Sequence, residues 1–158
     1  MKKILFAFLL INLILTTGCG EEKISAEKNL PVEEKNLQIE EAVNMKIKIQ
    51  IGDKIFDATL EDNPSTREFV KNLPLEVTMT ELNGNEKYYR FSKQFPSADK
   101  KIGEIHSGDL MLYSSSYLVL FYKDFTTSYS YTRLGKIDNP ENLSASVGDG
   151  NISIKITE

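Results

Sequence analysis

Tryptophan is absent from this 158-residue chain, and cysteine and histidine occur once each. A single cysteine, Cys19, closes no internal disulfide and has no second cysteine with which to share a zinc ion. A single histidine, His106, excludes a His-rich metal site. The chain has no H-E-x-x-H pair, no phosphate loop, no glycine-rich dinucleotide turn and no G-x-S-x-G. No metal and no cofactor are expected. Long apolar runs are missing as well. The most apolar stretch, residues 4–15, is broken at Asn12. A bilayer-spanning helix needs ~20 apolar residues, so this stretch is too short to be a stable anchor. Positive charge is in deficit, with 19 Lys and Arg against 23 Asp and Glu. Phosphate binding needs clustered positive charge, which argues against nucleic acid as a partner.

What is present begins with an order of segments. Met1-Lys2-Lys3 is a positive start, residues 4–15 are greasy, and Thr16, Thr17 and Gly18 are small. That order predicts a secretory signal peptide over residues 1–18. "LTTGCG" (residues 15–20) then resembles the end of a bacterial lipoprotein signal. The resemblance implies that the Cys19 thiol receives a diacylglyceryl group and that cleavage makes Cys19 the N-terminus. Gly18-Cys19 matches that pattern. Thr16 departs from it, because a branched aliphatic is usual there. Ordinary secretion and a retained signal are the alternatives. Two or more acyl chains, at about 0.8 kcal/mol per buried methylene, hold a protein stably at a membrane. The implied location is the cell envelope, outside the cytoplasm, with the membrane as partner through the lipid on Cys19. Lys2 and Lys3 leave with the signal, so 17 basic residues then face 23 acidic ones, a balance of −6. Residues 19–43 mix Glu and Lys with few apolar residues, and Pro31 interrupts any long helix. They read as a solvated tether.

From Met45 the period changes to two, and a single domain is expected over residues 44–158. "MKIKIQI" puts Ile47, Ile49 and Ile51 on one face, and "IFDATLE" does the same with Phe56, Ala58 and Leu60. "DNPSTREFVKNLP" predicts one short helix, with Asn63 as N-cap, Pro64 in the first turn and Pro74 beyond its end. "LEVTMTELNGNEKYYRF" is a hairpin around Asn83-Gly84. Residues 92–107 read as a loop. "GDLMLYSSSYLVLFYKDF" is apolar on both faces, with Ser114-Ser115-Ser116 as its turn. "SYSYTRLGKI" and "NISIKITE" complete the strands. The expected fold is mainly β: a small closed barrel of about eight strands with one clear short helix. Closure removes exposed edges. Ile49, Val77, Leu120 and Ile154 are expected in one core. The tyrosines all fall between Tyr88 and Tyr131.

This order of elements resembles a minimal bacterial cyclophilin-like domain over residues 45–158. "NPSTREFVKNL" is similar to the first cyclophilin helix. "HSGDLMLYS" resembles His-Thr-Gly-Pro-Gly-Ile-Leu-Ser-Met, and "RLGKI" resembles Val-Phe-Gly-Lys-Val. The family isomerises peptidyl-proline bonds, whose barrier is ~18–20 kcal/mol. It does so with an arginine, a glutamine, a phenylalanine wall, a tryptophan and a histidine. "YYRF" resembles Phe-His-Arg-Val, which makes Arg90 the arginine. Gln94 is the nearest candidate for the glutamine. The phenylalanine position falls at Leu120, the histidine position at Tyr131, and tryptophan is missing.

The resemblance therefore implies Arg90 as catalytic candidate and Phe91, Tyr113, Leu120 and Tyr131 as binding residues. Each has a plain alternative: a solvated strand arginine for Arg90, and barrel core for the others. His106, in "EIHSGDL", reads as a loop histidine held by hydrogen bonds or as a functional group. Glu104 and Asp109 are a candidate acid–base pair that nothing in the sequence brings together. Three functions follow from this reading. The first is a lipid-anchored domain binding extended or proline-containing segments of peptide or unfolded exported protein, with weak or no isomerase activity. The second is an active prolyl isomerase for exported proteins. The third is a structural or interaction module of the envelope.

Overall fold

Isoleucine alternates with lysine and glutamine in β1 (Met45–Ile51), and the alternation sorts the faces. Ile47, Ile49 and Ile51 are buried, and Lys46, Lys48 and Gln50 are exposed. The computed structural model describes residues 45–158. The expected signal peptide, Cys19 and the whole of the tether lie outside the described residues, as does Asn44, the expected first residue of the domain. A two-residue turn with Gly52 at φ 59° joins β1 to β2 (Lys54–Leu60). Ile49 lies opposite Phe56 there, and opposite Ile156 on the other side.

Helix α1 (Pro64–Val70) forms as its ends dictate. The Asn63 side chain accepts from Thr66 N at 2.9 Å and donates to Arg133 O at 2.9 Å, so the cap also ties the helix to the sheet. Phe69 is fully buried in the interior cluster. β3 (Leu75–Leu82) and β4 (Glu86–Arg90) follow, joined through Asn83 and Gly84 at φ 58° and 70°. Both left-handed angles suit Asn-Gly. Then come β5 (Lys100–Ile105), β6 (Asp109–Tyr113), β7 (Tyr117–Phe121), β8 (Phe125–Ile137), α2 (Leu143–Val147) and β9 (Ile152–Thr157).

Eight strands close a barrel in the order β2-β1-β9-β3-β4-β7-β6-β8, all antiparallel, and β8 returns to β2. Ala58, Leu60 and their partners Ile137 and Gly135 make the closing seam. Ile49, Val77, Leu120 and Ile154 share one interior cluster, as their alternation demands.

The expected loop over residues 92–107 needs correction, since β5 lies within it. β5 pairs with the first half of β8 and with no other strand. β8 is 13 residues long, and the two halves do different work. Its second half lies in the barrel wall. Its first half leaves the wall with β5 as a ribbon, and the register of β8 against β6 shifts between Leu110 and Met111. The ribbon contributes Ile105 and Tyr131 to a second apolar cluster, with Met111, Val119 and Phe121. β6 and β7 are therefore apolar on both faces for two reasons. Leu110, Leu112, Leu118 and Leu120 fill the barrel, and Met111, Val119 and Phe121 meet the ribbon. A second short helix, α2, was not expected; its Leu143 and Val147 join the interior cluster.

Candidate functional site

The site lies outside the barrel, where β4, β7, β6 and β8 present their outer faces. Period two decides which side chains appear there. On β4 Lys87 and Tyr89 point inward, so Glu86, Tyr88 and Arg90 point outward. On β7 the outward set is Tyr117, Val119 and Phe121, paired with Arg90, Tyr88 and Glu86 respectively. On β6 it is Met111 and Tyr113, opposite Val119 and Tyr117.

The Ser114-Ser115 turn between β6 and β7 fixes this corner. Both residues are left-handed, at φ 46° and 59°, and Ser116 N donates to Tyr113 O at 3.2 Å. Two successive residues of that hand match the twist of the flanking strands, although non-glycine residues hold that conformation with strain of about 1 kcal/mol or more each. With Ser116 the connection is three residues long and sets Tyr113 directly across from Tyr117. Ser115 O and Ser116 O accept from Phe95 N and Phe91 N, both at 2.8 Å.

A cavity of about 490 Å³ opens on this face. Its walls are Tyr88, Tyr113, Tyr117, Tyr129 and Tyr131, five of the seven tyrosines in the chain. Val119, Leu82, Glu86, Asn83 and Ser114 complete it. Tyr113 is the hub of the ring network. Its centroid lies 5.5 Å from Tyr131, 6.0 Å from Tyr129 and 6.3 Å from Tyr117. Tyr88 approaches Tyr117 at 6.0 Å, and Phe121 meets Tyr131 edge-on at 5.5 Å. Three of the four large apolar side chains exposed among the described residues, Leu82, Tyr113 and Tyr129, stand at this cavity. The exposed apolar surface of the domain is thus concentrated at this cavity. A depression of about 660 Å³ between the β1–β2 turn and α2 is bordered by Asp53, Lys54 and Glu141 and has one aromatic, Phe56.

Glu86 is the acidic group in this aromatic cavity. Burial, and then the charge of Glu81, push its carboxyl up to about 7. Among the described residues it has no ion-pair or hydrogen-bond partner. Burial pushes the Tyr131 hydroxyl up to about 12, with the Glu86 charge adding to it. The Glu86 shift has a stability consequence. In the unfolded chain the carboxyl loses its proton near pH 4.5, and in the folded chain near 7. Between those values the folded state holds the extra proton, so stability falls as pH rises through the window and is level above it. Glu86→Gln should therefore raise the urea midpoint at pH 8 and leave it unchanged at pH 4. A midpoint shift equal at both pH values would contradict this.

The sequence-predicted residues divide. Tyr113 and Tyr131 are brought together at the cavity. Arg90 is exposed on the same face, its guanidinium 5.5 Å from the centroid of the Tyr117 ring, at the rim and not in the lining. Leu120 is fully buried inside the barrel, and its neighbour Val119 holds the outward place. The assignment of Leu120 to the pocket wall is thus corrected by one residue, which is one face. Phe91 is corrected likewise. The chain turns in after β4, and Phe91 packs edge-on against Tyr89 at 5.1 Å and Phe95 at 4.8 Å in the interior cluster. Gln94 is exposed in the following loop and does not line the cavity. His106 is exposed, and its backbone exchanges bonds with Asp109: N to Oδ2 at 3.0 Å, and O from Asp109 N at 3.0 Å. Asp109 is buried beside Arg133 at 3.4 Å, while Glu104 is exposed on β5. Glu86, Tyr88, Tyr117 and Tyr129 were missed. Their signal was the crowding of every tyrosine into residues 88–131, together with the outward register of β4 and β7.

The model of the cyclophilin-like family matches residues 49–157, most of the described domain, and the chain belongs to that family. No curated protein matches. Among solved structures, the solution structure of a hypothetical protein from Archaeoglobus fulgidus is similar, at 20% identity and a TM-score of 0.52. The match covers 75% of this chain and 97% of that one. At that identity the likeness establishes the fold alone.

Proposed function

We propose that this cyclophilin-like domain binds extended or proline-containing peptide segments in the tyrosine-walled cavity, with weak or no isomerase activity. The observation that carries the reading is the cavity itself: five tyrosine rings and exposed Leu82 gathered on one outer face. Rings of this kind offer flat apolar area with a polar tip, which suits peptide backbone and proline alike. The same proposal places the domain outside the cytoplasm, held to a membrane by lipid on Cys19. There its partners are peptide or unfolded exported protein. Cys19→Ser should release the protein from membranes or leave it unprocessed, and intact mass of the membrane-extracted chain checks this. A mature N-terminus other than Cys19 would refute the anchor.

Isomerisation needs a cationic donor aimed at the prolyl amide within a shaped pocket, because positioning supplies several kcal/mol of the barrier reduction. Arg90 is the arginine on this face, and it stacks on a rim ring. Tyr131 and Val119 occupy the wall. The expected acceleration of a short proline peptide is at most about tenfold over the spontaneous rate, which is slow at tens to hundreds of seconds. What activity there is should vanish in Arg90→Ala. Strong catalysis lost in that variant would establish the active isomerase instead. Strong catalysis retained in it would show that Arg90 has no part.

A further inference from the structure

We infer that the tyrosine cavity is a seat for an ammonium group, and that it takes a lysine side chain of the bound segment with its charge beside Glu86. The inference rests on the peptide-binding reading and names the side chain which that reading leaves open.

Two independent features of the cavity converge on a cation. The first is the wall. The face of an aromatic ring is negative, and a cation within about 6 Å of the centroid is attracted to it. Tyr113, Tyr117, Tyr129 and Tyr131 are tilted to one another by 50–80° where they meet at Tyr113, so the cavity is edged by rings in several orientations rather than by one stack. Arg90 already demonstrates the attraction at the rim, over the Tyr117 ring. The second is the acid. Glu86 stands among these rings, and no cation among the described residues pairs with it. Tyr88 on its own strand, Tyr113 from β6, Tyr117 from β7, and Tyr129 and Tyr131 from β8 line the cavity with it, while Glu81 on the inward face of β3 and Tyr122 just after β7 feel its charge from behind the wall, and Arg90 stands at the rim. The arginine is turned to Tyr117. An unpaired carboxylate in an apolar wall is unfavourable until a positive charge joins it.

A proline ring or an aliphatic side chain would fill the walls and leave Glu86 unanswered. An anion would be repelled by it. A lysine satisfies both halves, since its methylene stem packs along rings while its ammonium keeps three donors for a carboxylate and hydroxyls. The cavity, at about 490 Å³, is of the size that encloses a small ligand or a side chain with its flanking backbone. The chain as a whole is acidic, which favours approach of a basic segment.

Titration calorimetry of the full chain in neutral detergent tests this with two blocked peptides, Ala-Lys-Pro-Ala and the same peptide with norleucine for lysine. Norleucine keeps the stem and lacks the charge. At about pH 8 the lysine peptide should bind about tenfold tighter or more. The preference should shrink on going to about pH 5.5, where Glu86 takes a proton while lysine stays charged. Glu81 is held below the usual carboxylate range and Tyr131 is far above neutrality, so neither titrates in that interval. Glu86→Gln should erase the preference. Tyr129→Leu, at a ring 61% exposed and so dispensable for folding, should reduce it. Equal binding of both peptides to the wild-type chain overturns the cation seat and leaves peptide binding standing. If neither peptide binds, both are overturned.

Discussion

Replacing Lys87 by methionine should lower the unfolding free energy by about 3 kcal/mol, in spite of the similar length and greater apolarity of the new side chain. Lys87 is 0% exposed, on the inward face of β4. Its ammonium donates to Glu81 Oε2 at 2.5 Å, to Gly148 O at 2.8 Å and to Gly150 O at 2.6 Å. The Tyr122 hydroxyl donates to the same Glu81 oxygen at 2.8 Å, and Gly84 N donates to the other at 2.7 Å. Burial pushes the Glu81 carboxyl up, but these bonds and the lysine charge outweigh it and hold it below the usual range. One lysine thus ties the β3–β4 hairpin to the chain between α2 and β9.

Methionine leaves the Glu81 carboxylate without its cation, though still bonded to Tyr122 and Gly84, and takes the ammonium donor from the Gly148 and Gly150 carbonyls. Removing one member of a buried ion pair costs about 3–5 kcal/mol, and the lower end applies because Glu81 keeps some contact with water. Adding Glu81→Gln to Lys87→Met should restore part of the loss, since it removes the uncompensated charge. Urea unfolding followed by circular dichroism measures both. A loss below about 1 kcal/mol in the single variant would mean that the pair is not the tie described.

Gly135→Ala should be as damaging, by about 3 kcal/mol or more. Gly135 lies in the closing seam, opposite Leu60 on β2 and Leu110 on β6. A Cβ there would come within 2.3 Å of Thr59 O and 2.7 Å of Leu60 Cα. Those atoms are backbone, so the strand itself must move, and the strand is the one that shuts the barrel. Overpacking that shifts side chains and backbone costs about 1–3 kcal/mol and occasionally more, and the two closest approaches here are to backbone atoms. Gly150→Ala is the control, because a Cβ there meets nothing within 4 Å. Similar unfolding midpoints for the two variants would contradict the tight seam.

The barrel was legible where one face of a strand is greasy and the other wet. β1, β3 and β9 alternate cleanly, so their inward residues could be named from the sequence. β5 was not legible. "KKIGEI" buries only Ile105 fully, half-buries Ile102, and has its register broken around Gly103, so no period of two survives. Pairing with β8 makes it a strand, and that partner is distant in sequence. α2 has five residues and starts from Asn142 at φ 65°, too brief for a helical stripe.

The site was half legible for a related reason. Tyr113 and Tyr131 were found through the family resemblance. Leu120 was misplaced because a strand apolar on both sides carries no mark of which side is outward, and Phe91 because the chain turns in where β4 ends. The register that settles it, Val119 opposite Tyr88, belongs to the pairing of β4 with β7. Glu86 looked like an ordinary strand glutamate in "NEKYYR". Its environment comes from Tyr131, 45 positions away, and from the ribbon that carries Tyr129.

The central claim is that the tyrosine face of the barrel is where peptide binds. Amide shift mapping of the isotope-labelled full chain in detergent, titrated with blocked Ala-Lys-Pro-Ala, tests it most directly. The predicted result is a saturable set of shifts at Glu86, Tyr88, Tyr113, Ser114, Tyr117, Tyr129 and Tyr131, with the β1–β2 turn and α2 unmoved. Shifts confined to Ile55, Glu141 and Ser146 on the other depression, or no saturable shift at all, would contradict it.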